Sequence, residues 1–426
     1  MPIHAQYAQE AVDIRRRIHR RPEEGWTEFE TLWIVTQTLE SLGYDVLLGT
    51  KVVCPDAALG RNPELVDAAI ERALTHGVPQ SFIDRTEGFT GAVAELDTGR
   101  DGPVTAFRFD MDCVLVDEST DADHIPTALG FASEIAGLMH ACGHDGHTAT
   151  GLALAHWLVD NKATLKGKIR LVFQPAEEGT RGAAAMAAAG VVDGVDWFFG
   201  AHVGSECGPK EIGIVEKGFL ATTKIDISLT GQPSHAGAEP HKGKSALMAA
   251  AACALMLQGI PRHGEGDTRV AVGKLVAGEG RNVTPVHAYM QLEVRGQTSE
   301  VNDFMTEQVN TIVQGVASAY GVTAKIVKVG EAASLIASPE ANYVLNGAAE
   351  KIPCIRITEL TKGGGSEDCS ILVRRVQETG GKAGFFFYGC KHNGHHRADF
   401  DIQDTESLPL ALQMFVNILS ITNPAD

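Results

Sequence analysis

The apolar segments of this chain change their periodicity near residue 220, and that change constrains the fold more than any other feature. Before it, GAVAEL (91–96), VTAFRF (104–109), KIRLVF (168–173) and DWFFGAHV (196–203) are short and nearly continuous apolar runs. A strand that is apolar on both sides needs cover on both faces, the situation of a sheet packed between helices. A helix-like stretch at 147–160 lies between two of these runs. After the change, Lys224-Ile225-Asp226-Ile227-Ser228-Leu229-Thr230 alternates polar and apolar residues, as a strand with one face in water does. The patterning therefore predicts an α/β protein with a mixed, mostly parallel sheet flanked by helices, interrupted by a smaller domain of different build.

The smaller domain is expected over 220–333. A helix (244–258), two strands (269–276 and 286–295), a helix (300–319) and a strand (322–328) follow the first strand, the β-α-β-β-α-β order of a ferredoxin-like α+β fold. Residues 1–219 and 334–426 then form the larger domain. It opens with a helix at 8–20 carrying Val12, Ile14 and Ile18. Thr27 and Glu30 read as a capping box before Phe29, Leu32, Trp33, Val35, Leu39 and Leu42, with Gly43 as the stop. Residues 51–90 look like an insertion with a helix capped by Asn62, started by Pro63 and ended at Gly77.

Charge narrows the class. Lys plus Arg is 36 and Asp plus Glu is 54, a formal net charge of −18, which repels phosphate backbones and anionic lipid. The longest apolar run, Ala246–Leu257, has twelve residues, short of the roughly 20 that span a bilayer. Neither nucleic acid nor membrane is an expected partner. Eight scattered Cys without CxxC spacing, and an N-terminus with no apolar stretch, suggest reduced thiols in a cytoplasmic enzyme.

The chemistry concentrates in Met139-His140-Ala141-Cys142-Gly143-His144-Asp145-Gly146-His147, a dense set of metal-ligating side chains. Cys142 and His144, two apart in an extended loop, can project toward one ion, and Asp145 could orient an imidazole. Gly143 and Gly146 permit the tight backbone that a ligand loop needs. Asp110-Met111-Asp112 ends the VTAFRF strand, where carboxylates commonly face a site crevice. Phe173-Gln174-Pro175-Ala176-Glu177-Glu178-Gly179 follows another buried strand; one carboxylate can hold a metal while its neighbour moves a proton. His202 lies in an apolar run, where a satisfied core histidine is the usual case. The late run His392-Asn393-Gly394-His395-His396-Arg397 can supply a last ligand. This set suffices for two divalent ions; the thiolate favours Zn²⁺, and the carboxylates also suit Mn²⁺.

These motifs, in this order, resemble the M20 metallopeptidase family, and HACGHDGH with FQPAEEG resembles its amidohydrolase branch. The likeness extends to GQPSHAG (231–237), GRNVTP (280–285) and GSED (365–368), so it runs almost the whole length. The insertion and FQPAEEGTRGA resemble the p-aminobenzoyl-glutamate hydrolases of that branch. The resemblance implies a zinc-peptidase-like catalytic domain and a lid or dimerisation role for 220–333. Residue by residue, it implies Cys142, His144, Glu178, His202 and His396 as metal ligands and Glu177 as general base. Phe400 four residues on favours His396, with His395 as the competitor. Asp112 matches a carboxylate that orients a ligand, and Asp110 belongs to the same motif. His235 matches the histidine that polarises the scissile carbonyl, reaching across in family dimers. Asn282 and Arg295 match groups that hold the substrate's carboxylate, and Gly365 is assigned to substrate binding.

Arg295 also has a physical argument: Ala288, Met290, Leu292 and Val294 face one way, which puts Arg295 on the opposite, open face. The implied reaction is hydrolysis of the amide bond of an N-acyl amino acid, p-aminobenzoyl-glutamate first, with hippurate-like or auxin-conjugate-like substrates as alternatives. The implied assembly is a homodimer, or a heterodimer with a homologous subunit. Two rival readings are a Cys142 nucleophile with a histidine base, and a polypeptide that works only beside its homologous partner.

Overall fold

The computed structural model describes residues 4–361 and 365–425. The chain divides into two compact units: Met1–Gly218 with Ile336–Lys362 and Asp368–Asp426, and Phe219–Leu335 with Gly363–Glu367. It opens with helices α1 (Ala5–His19) and α2 (Phe29–Ser41), strand β1 (Val46–Leu48), helices α3 (Pro63–Thr75) and α4 (Gln80–Thr86), and strands β2 (Ala92–Asp97) and β3 (Val104–Asp110). Helices α5 (Ile125–Ala128) and α6 (His144–Asp160) precede β4 (Lys168–Gln174), α7 (Ala183–Ala188), β5 (Trp197–Val203) and β6 (Glu211–Val215). The second unit runs β7 (Ala221–Thr230), α8 (Ala246–Gln258), β8 (Thr268–Ala277), β9 (His287–Gly296), α9 (Ser299–Tyr320) and β10 (Thr323–Ala332). The first resumes as α10 (Pro339–Glu350), β11 (Arg356–Leu360), α11 (Cys369–Glu378), β12 (Lys382–Tyr388) and α12 (Asp404–Thr422).

The first unit is built on an eight-stranded sheet of order β1-β2-β4-β3-β5-β12-β6-β11. The pairs β4·β3, β3·β5, β5·β12 and β6·β11 are parallel, and the other three are antiparallel. Its central strands are buried along nearly their whole length, which is why they read as unbroken apolar runs. Phe415 of α12 seals one face, its ring 5.0 Å from Phe107, 5.3 Å from Phe109 and 5.4 Å from Phe386.

The second unit follows the β-α-β-β-α-β order with an antiparallel sheet β10-β7-β9-β8, the ferredoxin-like arrangement. Ile225, Ile227 and Leu229 of β7 and Ala288, Met290, Leu292 and Val294 of β9 pack with α8 and α9 into one core, so alternation along the strand is burial on one face. Among the described residues, no helix is long and apolar enough to cross a membrane.

Three local expectations need correction. α2 has Glu28, not Thr27, at its N-cap position, and no capping box forms. The Thr27 hydroxyl donates to the Glu24 carbonyl at 2.7 Å, while the buried Glu23 carboxylate accepts the Glu30 and Thr31 amides at 3.1 and 2.8 Å. A charged acceptor from outside the helix satisfies its open amides better than a hydroxyl. Second, α6 begins at His144, so His144 to His147 form its first turn and are neither an extended loop nor the approach to a helix beginning at 147. Third, the 51–90 segment carries α4 as well as the predicted helix, whose Asn62 side chain does accept the Glu64 amide at 3.0 Å.

Candidate metal centre and active site

The parallel strands β4, β3 and β5 end side by side, and their carboxyl ends deliver the candidate residues to one crevice, the usual ligand position of an open α/β sheet. β3 supplies Asp110 and then Asp112, β4 leads into Glu177 and Glu178, and β5 carries His202. Gly143 starts α6 with φ +89°, and a Cβ there would lie 2.4 Å from Val203 Cγ1, so this turn requires glycine.

The ligand atoms of Cys142, His144 and His202 all lie within 4.8 Å of one another; the same holds for Cys142, Glu178 and His396, and for His144, Glu177 and Glu178. Cys142 is thus common to two trios, and its Sγ is 3.4 Å from His202 Nε2. His202 Nδ1 donates to the Val203 carbonyl at 2.8 Å, which leaves Nε2 with its lone pair toward the cluster. His144 does the same: Nδ1 lies 3.3 Å from Asp112 Oδ1, and the buried Nε2 has no hydrogen-bond partner among the described residues. An imidazole that gives one N–H to a carboxylate or carbonyl and keeps the other nitrogen open is oriented as metal-binding histidines are. His396 Nε2 sits 3.1 Å from Glu178 Oε1, and its amide donates to the Ala141 carbonyl at 2.8 Å, holding a backbone at φ +59°. His395 turns instead to the Val203 carbonyl at 3.1 Å.

The electrostatics favour positive charge. Burial opposes ionisation of His144, yet Asp110 and its acidic neighbours outweigh burial and hold its pKa well above the ordinary histidine value. Burial also opposes the charge on Glu178, but His396 and His144 pull its pKa down. The Cys142 thiol is pushed well up, first by burial and then by Glu178. This donor set fits a soft-to-borderline divalent cation.

Supporting contacts fix the donors. Asp112 is fully buried; its Oδ1 accepts the Glu177 amide at 3.0 Å and its Oδ2 the Glu178 amide at 2.9 Å, so one carboxylate orients both His144 and the glutamate turn. Asp110 accepts from Arg108 and from His147 Nδ1, and His147 Nε2 accepts the Val203 amide at 3.0 Å. Arg108 also reaches Gln174 at 2.8 Å and Asp368 at 3.1 Å, and Asp368 accepts the Gly182 and Ala183 amides at 3.1 and 2.9 Å. Glu28 accepts the Ala176 amide and the Thr90 hydroxyl at 2.7 and 2.6 Å; burial, then the charge of Asp112, pushes its pKa up to about 8.

Sequence reasoning missed Arg108, Gln174, His147 and Glu28 in these supporting roles. The available signal was a charged or amide side chain inside an apolar strand, as in VTAFRF and KIRLVFQ, since a buried Arg demands partners. Asp145, expected to orient an imidazole of the cluster, instead holds His19 Nδ1 at 2.7 Å and Arg15 Nε at 2.7 Å. The remaining candidates lie in the second unit. His235 bridges Val283, and the Asn282 carbonyl accepts the Ala236 amide at 3.1 Å, so His235 and Asn282 are neighbours. Arg295 stands on the β9 face opposite the core and pairs with Glu293 at 2.9 Å. The Gly365 carbonyl accepts the Leu220 amide at 3.0 Å.

The chain is similar to known proteins along most of its length. The profile of peptidase family M20/M25/M40 matches residues 106–420. The chain is 44% identical over 396 residues to a p-aminobenzoyl-glutamate hydrolase subunit homolog of Haemophilus influenzae, covering 92% of this chain and 94% of that protein. It is 42% identical to the indole-3-acetyl-aspartic acid hydrolase of Enterobacter agglomerans, with 95% of each covered. Among solved structures, an aminobenzoyl-glutamate utilization protein from Klebsiella pneumoniae matches with a TM-score of 0.83 and 36% identity over 97% of this chain and 96% of that one. A dinuclear metal-binding M20 peptidase from Bacillus subtilis matches with a TM-score of 0.68 and 25% identity over 98% and 99%. The profile covers well over half of the chain and these relatives align along nearly all of it, so the chain belongs to peptidase family M20/M25/M40.

Proposed function

We propose that this chain is a metal-dependent amidohydrolase that cleaves the amide bond of N-acyl amino acids, with p-aminobenzoyl-glutamate as substrate and p-aminobenzoate and glutamate as products. The observation that carries the reading is the orientation of His144 and His202, each with Nδ1 engaged and Nε2 turned toward a cluster of Cys142 and two glutamates. Cys142, His144, Glu178, His202 and His396 would hold two divalent ions, Zn²⁺ or Mn²⁺. Such ions acidify a water and polarise the scissile carbonyl.

The protein's own groups do the rest. Glu177, its amide fixed by Asp112, takes the proton of the attacking water and passes it to the leaving amine. His235 polarises the carbonyl oxygen, and Asn282, Arg295 and Gly365 hold the α-carboxylate end. A guanidinium suits that task because it binds a carboxylate through two parallel hydrogen bonds. Asp110 and Asp112 act through the imidazoles and turns that they position.

Two relatives are named as one subunit of a hydrolase, and the second unit has a surface suited to a partner. Met248, Leu255 and Met256 of α8 and Val276 of β8 are exposed, and β8 is an edge strand of its sheet. We assign this face to a homodimer or to a heterodimer with a homologous polypeptide. All eight cysteines are unpaired, in keeping with a reducing cytoplasm.

The test is release of p-aminobenzoate by the purified protein following chelation, and again once Mn²⁺ or Zn²⁺ is added back. Metal-restored release is expected, and Glu177→Ala is expected to retain metal while losing turnover by orders of magnitude. The similar identity to an indole-3-acetyl-aspartic acid hydrolase makes that conjugate the second substrate to assay. No release from either, with either metal, would sink the reading.

A further inference from the structure

Arg181 stands beside the cluster, and no carboxylate among the described residues answers its charge. The turn after Glu178 passes through two residues in the left-handed region, Gly179 at φ +84° and Thr180 at φ +59°. It folds the chain back so that the Arg181 amide meets the Ala176 carbonyl at 3.1 Å and the Arg181 Nε donates to the Glu178 carbonyl at 2.8 Å. The guanidinium is therefore tethered to the backbone of a residue whose own carboxylate belongs to the metal-ligand cluster. The opposite wall is shaped to admit it. A Cβ on Gly25 would fall 2.4 Å from Arg181 Nη2 and 2.8 Å from Ala176 Cα, so glycine is needed there. Trp26, next to it, is buried and tied by its indole N–H to the Leu59 carbonyl of the 51–90 insertion at 2.8 Å.

Beyond the Nε bond, the guanidinium of Arg181 has no acceptor among the described residues, and none of them brings a carboxylate within 4.0 Å of it. In a chain of net charge −18 many arginines meet acids, although Arg61 and Arg100, like Arg181, donate only to backbone carbonyls. Arg15 meets three aspartates, Arg72 meets Glu23 and Glu30, and Arg170 meets Glu95. A half-buried arginine whose Nη groups have no acceptor among the described residues, one of them against Gly25, keeps donors that match a carboxylate.

Resting on the amidohydrolase reading above, we propose that Arg181 binds the side-chain carboxylate of the substrate's amino acid and makes the enzyme selective for N-acyl derivatives of acidic amino acids. The insertion serves the same end through Trp26, which keeps the Gly25 wall in place.

The experiment compares p-aminobenzoyl-glutamate with p-aminobenzoyl-glutamine, which differ only in the side-chain carboxylate, on the metal-loaded enzyme and on Arg181→Gln and Arg181→Lys. The wild type is expected to prefer the glutamate compound. Arg181→Gln is expected to lower the glutamate-to-glutamine ratio of kcat/KM by about ten- to a hundred-fold, mainly through KM, the loss of one charge-assisted hydrogen-bonded pair. Arg181→Lys keeps the charge and should retain part of the preference. An equal loss on both substrates, or a fall in bound metal, would mean that Arg181 only shapes the Glu178 turn and would overturn the proposal. So would a wild type that cleaves both compounds equally well, in which case the amidohydrolase reading still stands. A wild type that cleaves neither of these compounds nor indole-3-acetyl-aspartate removes both readings.

Discussion

Asp112 is the residue whose replacement tests the architecture of the site most directly. Its Oδ1 receives the Glu177 amide and faces His144 Nδ1, while its Oδ2 receives the Glu178 amide, and the group is fully buried. Asp112→Asn keeps the shape but replaces one acceptor oxygen by a donor. The better orientation puts the Asn carbonyl at the Oδ1 position, which preserves two contacts. Its NH₂ then opposes the Glu178 N–H, donor to donor. Leaving one buried N–H unsatisfied destabilises by about 1–3 kcal/mol. For a unit of this size, that corresponds to a fall in Tm of roughly 2–5 °C. The displaced residue is Glu178, a proposed ligand, and loss of such a supporting contact weakens metal binding about 10- to 100-fold. The assay is competition of the variant against a chelator of known affinity, alongside thermal unfolding of the metal-free protein. Unchanged metal affinity together with an unchanged Tm would show that Asp112 does not organise the glutamate turn.

Further outcomes follow from other parts of the molecule. Burial alone would raise the pKa of Glu118, but its hydrogen bonds from His19, the Ser133 amide and His124 prevail and hold it at about 2. A carboxylate with a depressed folded pKa contributes stability above its unfolded value near 4.5, and that contribution is lost as pH falls from 4.5 toward 2. Glu118→Gln should therefore lower stability by about 2 kcal/mol at pH 7, after discounting for solvent screening at a partly open site, and by much less near pH 2.5. Denaturant unfolding at the two pH values checks this; an equal loss at both would refute it. On the second unit, Leu255 is 77% exposed on α8. Leu255→Glu should convert a dimer to a monomer in analytical ultracentrifugation, and a variant that sediments like the wild type would exclude this face as the interface.

Much of the layout is legible along the chain because burial leaves a local trace. β3, β4 and β5 are covered on both faces, so VTAFRF, KIRLVF and DWFFGAHV had to be apolar throughout, whereas β7 and β9 alternate because only one of their faces meets α8 and α9. The candidate ligands are legible for a related reason: Cys142 and His144 adjoin a helix start, and Glu177 and Glu178 follow a strand end, so their meeting needs only neighbouring parallel strands. Tertiary structure alone decided the partners. Glu23 rather than Thr27 satisfies the first amides of α2, His396 rather than His395 faces Glu178, and Asp145 turns to His19. Arg108 finds Asp368 across 260 positions of sequence, and Arg181 finds no acid at all among the described residues. Periodicity reports which way a side chain faces, but a buried charge is satisfied by whichever group the completed fold brings within about 3 Å, and no local pattern encodes that choice.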